Sequence, residues 1–174
     1  MKRLGVDCLN EKQKVIYDKV INSPIKVMQI GEGNFLTSFF DWMLYKAIEA
    51  GKYEGSVALT CPLDYDQKLT VLKEQDLLYT VIRRGFENNE EVDASDIVSV
   101  FSKVFNYNRD WESFMNVAEQ ESLEIIISNT TEAGLAYKEV TLDNVSTEGL
   151  YPGKLTAFLM HRFKTIKEAS YFSM

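Results

Sequence analysis

Two cysteines, three prolines and one histidine are all that 174 residues hold of the types that build cross-links, breaks and many metal sites. Cys8 and Cys61 lie far apart with no CxxC spacing, which argues against a disulfide framework or a zinc centre and leaves two free thiols. Proline and glycine never cluster into a linker, so nothing marks a domain boundary. No run of 18 apolar residues occurs, and the N-terminal MKRLGVDCLNEKQK lacks the apolar core of a secretory signal. Neither a membrane partner nor export is expected, and the chain reads as cytoplasmic. Positive charge is the scarcer sign. The 19 Lys and Arg against 26 Asp and Glu leave a net −7, which argues against a nucleic-acid partner, because that affinity comes mainly from neutralising phosphates. One small phosphorylated ligand stays open, since backbone amides and a helix dipole hold phosphate without basic side chains. HExxH, GxSxG, GK[ST] and clustered metal ligands are missing too, so hydrolase, NTPase and metal chemistry have no foothold.

What is present is enough apolar residue, 45%, for one sizeable core. Residues 9 to 21 carry Leu9, Ile16 and Val20 at helical spacing before Pro24. IKVMQI, 25 to 30, reads as a buried strand. Residues 34 to 50 form a helix with Leu36, Phe39, Phe40, Met43 and Ala47 on its apolar face, ended by Gly51. SVALTC, 56 to 61, closes a βαβ unit. A helix over DYDQKLTVLKEQ follows. LLYTVIRRG and IVSVFSKVF then read as strands pairing in a long antiparallel hairpin across the polar loop FENNEEVDASD, with ENNEE as a solvated turn. A helix over 109 to 119, a strongly buried strand LEIIIS and a final helix near 153 to 167 complete a Rossmann-type α/β fold: a doubly wound, mostly parallel sheet with an inserted antiparallel hairpin.

The chemistry concentrates at two strand ends. In a dinucleotide fold the first glycine of the turn permits a tight bend, the second lets backbone approach the pyrophosphate, and the third permits close packing. Gly31 and Gly33 fill the first two roles, whereas Leu36 stands at the third. A phosphate cradle and a plain corner both remain open, with the helix beginning near Asn34 favouring the cradle. Asp64, at the tip of the second strand, is either a ribose ligand or a helix cap. No arginine lies near that tip, although Lys68 is close, which favours NAD over NADP. SNTTEAG, 128 to 134, follows the most hydrophobic strand and is rich in hydrogen-bonding side chains; it is either a ligand loop or a capped turn in which Gly134 supplies positive φ. His161, inside a helix remote from both loops, reads as structural, and Trp42 and Trp111 read as packing residues.

The strings GEGNFL (31 to 36), DWM (41 to 43), EQDLLYTV (74 to 81), ISNTTEAG (127 to 134) and YPGKLTAFL (151 to 159), in this order, resemble the long-chain polyol dehydrogenase family that contains mannitol dehydrogenase. Within it the match is nearest to the uronate branch, the tagaturonate reductases or altronate oxidoreductases. The resemblance implies NAD-dependent hydride exchange between a sugar acid or polyol and its keto form. By it, Gly31, Gly33, Asn34 and Phe35 would line the pyrophosphate turn, and Asp64 would lie near the adenosine ribose. Asn129, Thr130, Thr131 and Glu132 would flank the nicotinamide half. Lys154, in the matching KLT string, would face substrate or simply solvent. Two departures stand out. Thr37 occupies the place where the family commonly has an arginine, and the family's catalytic lysine, asparagine and histidine belong to a helical C-terminal domain that this sequence does not contain. The chain is therefore expected to be a truncated NAD-binding domain, residues 1 to 174, with no catalytic residue of its own. The rival reading is a non-catalytic nucleotide-binding module that works as a short chain.

Overall fold

In the computed structural model, residues 3–63 and 67–166 are described. They form a four-stranded parallel sheet in the order β5-β2-β1-β6, with a separate antiparallel pair β3-β4. β1 (Ile25–Ile30) and β2 (Ser56–Cys61) span the residues expected of them. Side-chain alternation along β1 divides the core in two. Val27 points to one face of the sheet, where α1 (Glu11–Ile21), α2 (Asp41–Glu49) and α3 (Gln67–Glu74) contribute Ile16, Val20, Leu44, Ile48, Leu69 and Leu72. Met28 and Ile30 point to the other, meeting Phe114 and Val117 of α4 (Trp111–Ala118) and Phe158 of α6 (Tyr151–Thr165). A parallel sheet must be covered on both faces in this way, which is why its central strand β2 is buried at every position.

Three expectations are corrected. The hairpin exists, but its second strand is β4 (Glu90–Val98), drawn largely from the stretch expected to be a loop, and pairs with β3 (Tyr79–Glu87). Asn88 and Asn89, both at positive φ (52° and 66°), make the two-residue turn that a right-twisted hairpin favours. The segment 97–105 therefore divides: Ile97 and Val98 end β4, while Phe101–Asn106 is β5, a parallel strand of the main sheet beside β2. Second, LEIIIS is not a strongly buried strand. Among the described residues β6 (Ile125–Ser128) pairs only with β1, and as an edge strand it is partly exposed along its length.

Third, the helix after the glycine turn buries a different face. Leu36–Phe40 is a π turn, in which the Asp41 amide donates to Leu36 O, five residues back. One extra residue per turn shifts every later side chain round the axis. Leu36 is still inward, but Asp41, Leu44, Tyr45 and Ile48 follow it in, while Phe39 and Met43 face solvent.

Candidate functional site

β1 and β6 lie side by side, yet the chain leaves them in opposite directions across the sheet, β1 toward β2 and β6 toward α6. This is the switch point of the topology, where doubly wound sheets hold their ligands. A cleft of about 780 Å3 opens there. Its walls come from Gly31 and Gly33 after β1, Pro62 and Leu63 after β2, Tyr107 and Asn108 after β5, Asn129 to Thr131 after β6, and Tyr151 and Lys154 of α6.

The glycine turn is shaped by unequal glycines. Gly31 sits at φ +111°, a conformation closed to most side chains. Its amide is already committed, donating to Thr60 O of β2 at 2.8 Å. Gly33 has no such backbone demand, and a Cβ built on it would meet nothing within 4 Å. Its value is open space. The helix starts directly after it, with Thr37 N donating to Gly33 O at 3.2 Å. The amides of Asn34, Phe35 and Leu36 thus stand at a helix start, where no intrahelical acceptor exists for them.

Asn34 itself lines a neighbouring cleft of about 560 Å3 between the turn, α3 and β3. Its Oδ1 accepts from Lys68 Nζ at 2.9 Å, and the same ammonium donates to Glu32 O at 3.3 Å. Lys68 therefore brings a cation to the bend. Thr37, at the position of the family's arginine, turns its hydroxyl back onto Gly33 O and Asn34 O. The Phe35 ring lines neither cleft; it is 58% exposed and packs on Phe39 with centroids 5.4 Å apart.

In the second loop Asn129, Thr130 and Thr131 line the cleft, and Thr130 shares a hydrogen bond with Ser128. Glu132 points away and opens a short 3-10 turn, Glu132–Leu135. Gly134 does not supply positive φ. A Cβ there would lie 2.5 Å from Thr130 Cγ2, so close packing against the loop is what excludes a side chain. Asp64 lies outside the described residues.

Lys154 does not point to solvent: it is 3% exposed. Its ammonium donates to Asn108 Oδ1 and lies 4.8 Å from the Tyr107 ring centroid and 5.9 Å from that of Trp111. Asn108 also donates to Pro62 O at 3.2 Å, and Asn106 to Leu63 O at 2.7 Å, which ties the tips of β2 and β5 together. Sequence reasoning missed Tyr107 and Asn108. The signal was there, a polar NYN directly after an apolar strand, but it was hidden once that strand was assigned to the hairpin. His161 pairs with Glu119 at 2.7 Å, away from both clefts. Among the described residues no acidic, cysteine and histidine groups cluster to hold a metal, and no helix is long and apolar enough to cross a membrane.

Beneath the turn, Asp41 is fully buried, and neither carboxyl oxygen has a hydrogen-bond partner. Burial pushes its acid strength down, to a pKa of about 7 from 3.8, with the neighbouring Gln29 and Tyr79 opposing that effect.

No protein-family model matches the chain. Over 166 residues, 95% of its length, it is 35% identical to the altronate oxidoreductase of Halalkalibacterium halodurans. Over 159 residues it is 36% identical to that of Bacillus subtilis, and over 145 residues 37% identical to that of Bacteroides thetaiotaomicron. It spans about a third of the length of these curated relatives: 32%, 33% and 30% respectively. Two solved structures share its fold, each at 16% identity over 83% of this chain and 32% of theirs. They are a mannitol 2-dehydrogenase of Pseudomonas fluorescens in ternary complex with NAD and D-mannitol, at a TM-score of 0.68, and a substrate-free D-sorbitol dehydrogenase, at 0.67. The resemblance read from the sequence is thereby borne out. The chain is related to the N-terminal part of the altronate oxidoreductases, and its fold is that of the polyol dehydrogenases.

Proposed function

We propose that this chain is the dinucleotide-binding part of an NAD-dependent oxidoreductase that interconverts altronate and tagaturonate, or a related pair of sugar alcohol and keto sugar. The observation that carries the reading is the cleft at the switch point, where the bend after β1 and the polar loop after β6 face each other with Gly33 leaving room between them. Amides at the start of the helix would hold the diphosphate, aided by the helix dipole and by Lys68 in place of the arginine. Asp64 would take the adenosine ribose, and Asn129, Thr130 and Thr131 the nicotinamide half, with Glu132 at the loop's outer end. Lys154, held among Asn108, Tyr107 and Trp111, would present a cation to a substrate carboxylate. NAD supplies the hydride acceptor when bound; the protein's part here is to bind and orient.

Among the described residues no group at this cleft is arranged as a general base for the hydroxyl proton, and the relatives are about three times as long. The proton-transferring residues are assigned to a C-terminal domain outside this sequence. The polypeptide alone is expected to bind nucleotide without turning over altronate or mannitol.

Titration with NADH, followed by nucleotide fluorescence, tests the reading. The wild-type chain should bind, and Gly33→Val should lose measurable affinity while keeping its fold, because its side chain enters space that only a ligand fills. Equal affinity in the two proteins would reduce the glycine turn to a corner.

A further inference from the structure

The polar cluster beneath the turn has a pattern of donors and acceptors that does not close. Gln29, on β1, has one donor in use: its amide nitrogen donates to Gly31 O at 3.2 Å, across the strand end that begins the bend. Its Oε1 is buried with no partner. The Asp41 carboxyl lies against this amide and near the Tyr79 phenol, both of which favour its charged form, yet neither of its buried oxygens makes a hydrogen bond of good geometry. The titratable group facing Asp41 from another element is the Tyr79 phenol of β3, but its hydroxyl donates to Thr37 O at 2.9 Å. Burial first, and Asp41 second, hold that phenol well above its usual pKa and therefore neutral. The charged groups further along α2 and the hairpin, Lys46, Glu49, Arg83 and Asp96, bond among themselves.

Three buried acceptors thus meet where, among the described residues, the donors at hand are the second Gln29 N–H and the Tyr79 phenol, itself committed to Thr37 O, a costly arrangement. One proton resolves it. Placed on Asp41, it makes the carboxyl a donor to Gln29 Oε1. The Gln29 amide is then held from both ends, with its nitrogen fixed on Gly31 O. We infer that Asp41 works in its acid form as a positioning residue, and that the relay Asp41 to Gln29 to Gly31 sets the shape of the nucleotide-binding bend. When Asp41 ionises it can no longer donate to Gln29 Oε1, and its charge draws the amide nitrogen toward itself, so the bend loses its support. The inference rests on the nucleotide reading proposed above, and it makes dinucleotide affinity fall as pH rises through neutrality.

Two measurements on the full chain test it. The first needs no ligand: an NMR titration of the Asp41 carboxyl carbon, the Gln29 side-chain amide and the Gly31 backbone amide. The three signals should move together with a midpoint near 7, and in Asp41→Asn the Gln29 and Gly31 movements should vanish, because the asparagine amide donates at every pH. Titration of Asp41 in the ordinary carboxylate range, or Gln29 and Gly31 signals indifferent to it, overturns the inference. The second is NADH affinity against pH. If the nucleotide selects the acid form, wild-type binding at about pH 8 should be roughly tenfold weaker than its plateau below about pH 6.5, and Asp41→Asn should show no such loss. His161, on the opposite face of the sheet, is common to both proteins and cancels. A flat wild-type profile, or the same slope in both proteins, refutes the relay. Absence of NADH binding at any pH would instead sink the nucleotide reading, with the NMR titration still deciding whether the relay exists.

Discussion

Replacing Asp41 with asparagine should make the protein more stable at neutral and alkaline pH, by an amount that grows with pH. The unfolded chain exposes Asp41, which then ionises near 3.8, whereas in the folded protein burial holds it protonated up to about 7. Between those values the folded state binds the extra proton, so its stability declines as pH rises and the loss is complete once pH passes the folded value. Each decade is worth about 1.4 kcal/mol, so the roughly three decades between the two values set a ceiling of about 4 kcal/mol. Glu49, Asp96 and Asp110 act with the opposite sign. Side-chain hydrogen bonds lower Glu49 and Asp110, and those from Lys46, Trp42 and Arg83 lower Asp96 against its burial; such stability is lost as pH falls. They are the same in both proteins, so the difference between variant and wild type isolates Asp41. Urea unfolding followed by tryptophan fluorescence, at intervals from about pH 4.5 to about pH 8.5, reads it directly. The variant's advantage should climb with pH and level off above neutrality. A difference independent of pH would refute the assignment of a neutral buried acid, whatever its absolute size.

Two further outcomes are expected. Lys68→Ala should weaken NADH binding by about 1 kcal/mol, roughly fivefold, because a cation bonded to Asn34 Oδ1 and Glu32 O at the bend is removed; the loss should shrink at high salt, and an unchanged Kd at low salt would show that the lysine serves only α3. Arg162→Ala should cost about 3 kcal/mol or more in urea unfolding, since a buried guanidinium donates to Ala118 O, Gln120 O and Leu123 O and no side chain replaces it. A loss below about 1 kcal/mol would mean that water satisfies those carbonyls.

The parallel half of the fold was legible because burial on both faces leaves an unmistakable mark. IKVMQI and SVALTC are apolar runs with sharp ends, and the observed strands begin and stop where the runs do. The hairpin was harder. β4 shows an alternation of exposed and half-buried residues carrying five acidic or polar side chains, a pattern shared by loops, and only the two asparagines at positive φ give its turn away. Assigning 97–105 to one strand then concealed β5, and with it Tyr107 and Asn108 at the third strand tip. The π turn was invisible for another reason: an inserted helical residue changes the phase of a pattern without changing its composition. Leu36, Phe39 and Met43 look like one stripe at 3.6 residues per turn, and Asp41 looks like solvent-facing surface. Of the candidate site, Gly31, Gly33, Asn129, Thr130, Thr131 and Lys154 come together in one cleft, as strand-tip reasoning requires. Phe35 and Glu132 face outward, and hydrogen-bonding capacity alone could not tell which members of each loop turn inward.

The π turn and the buried acid belong to one device. Without the extra residue, the position after Phe40 would sit on the outer face of the helix, and an aspartate there would be an ordinary solvated charge. With it, Asp41 is carried under the bend, against Gln29. Gln29 is placed there by strand alternation, sharing the face of Val27 while Met28 and Ile30 serve the opposite core. A leucine at either position would offer neither donor nor acceptor to the bend. The polar pair is tolerated because one proton satisfies it, and the direction of its outermost bond, onto Gly31 O, joins that proton to the bend proposed to hold the nucleotide. A helix defect and a buried acid are each unfavourable alone, and the glycine at φ +111° admits the bend that joins them. Together they support one another, which is the condition under which local strain persists at a binding site.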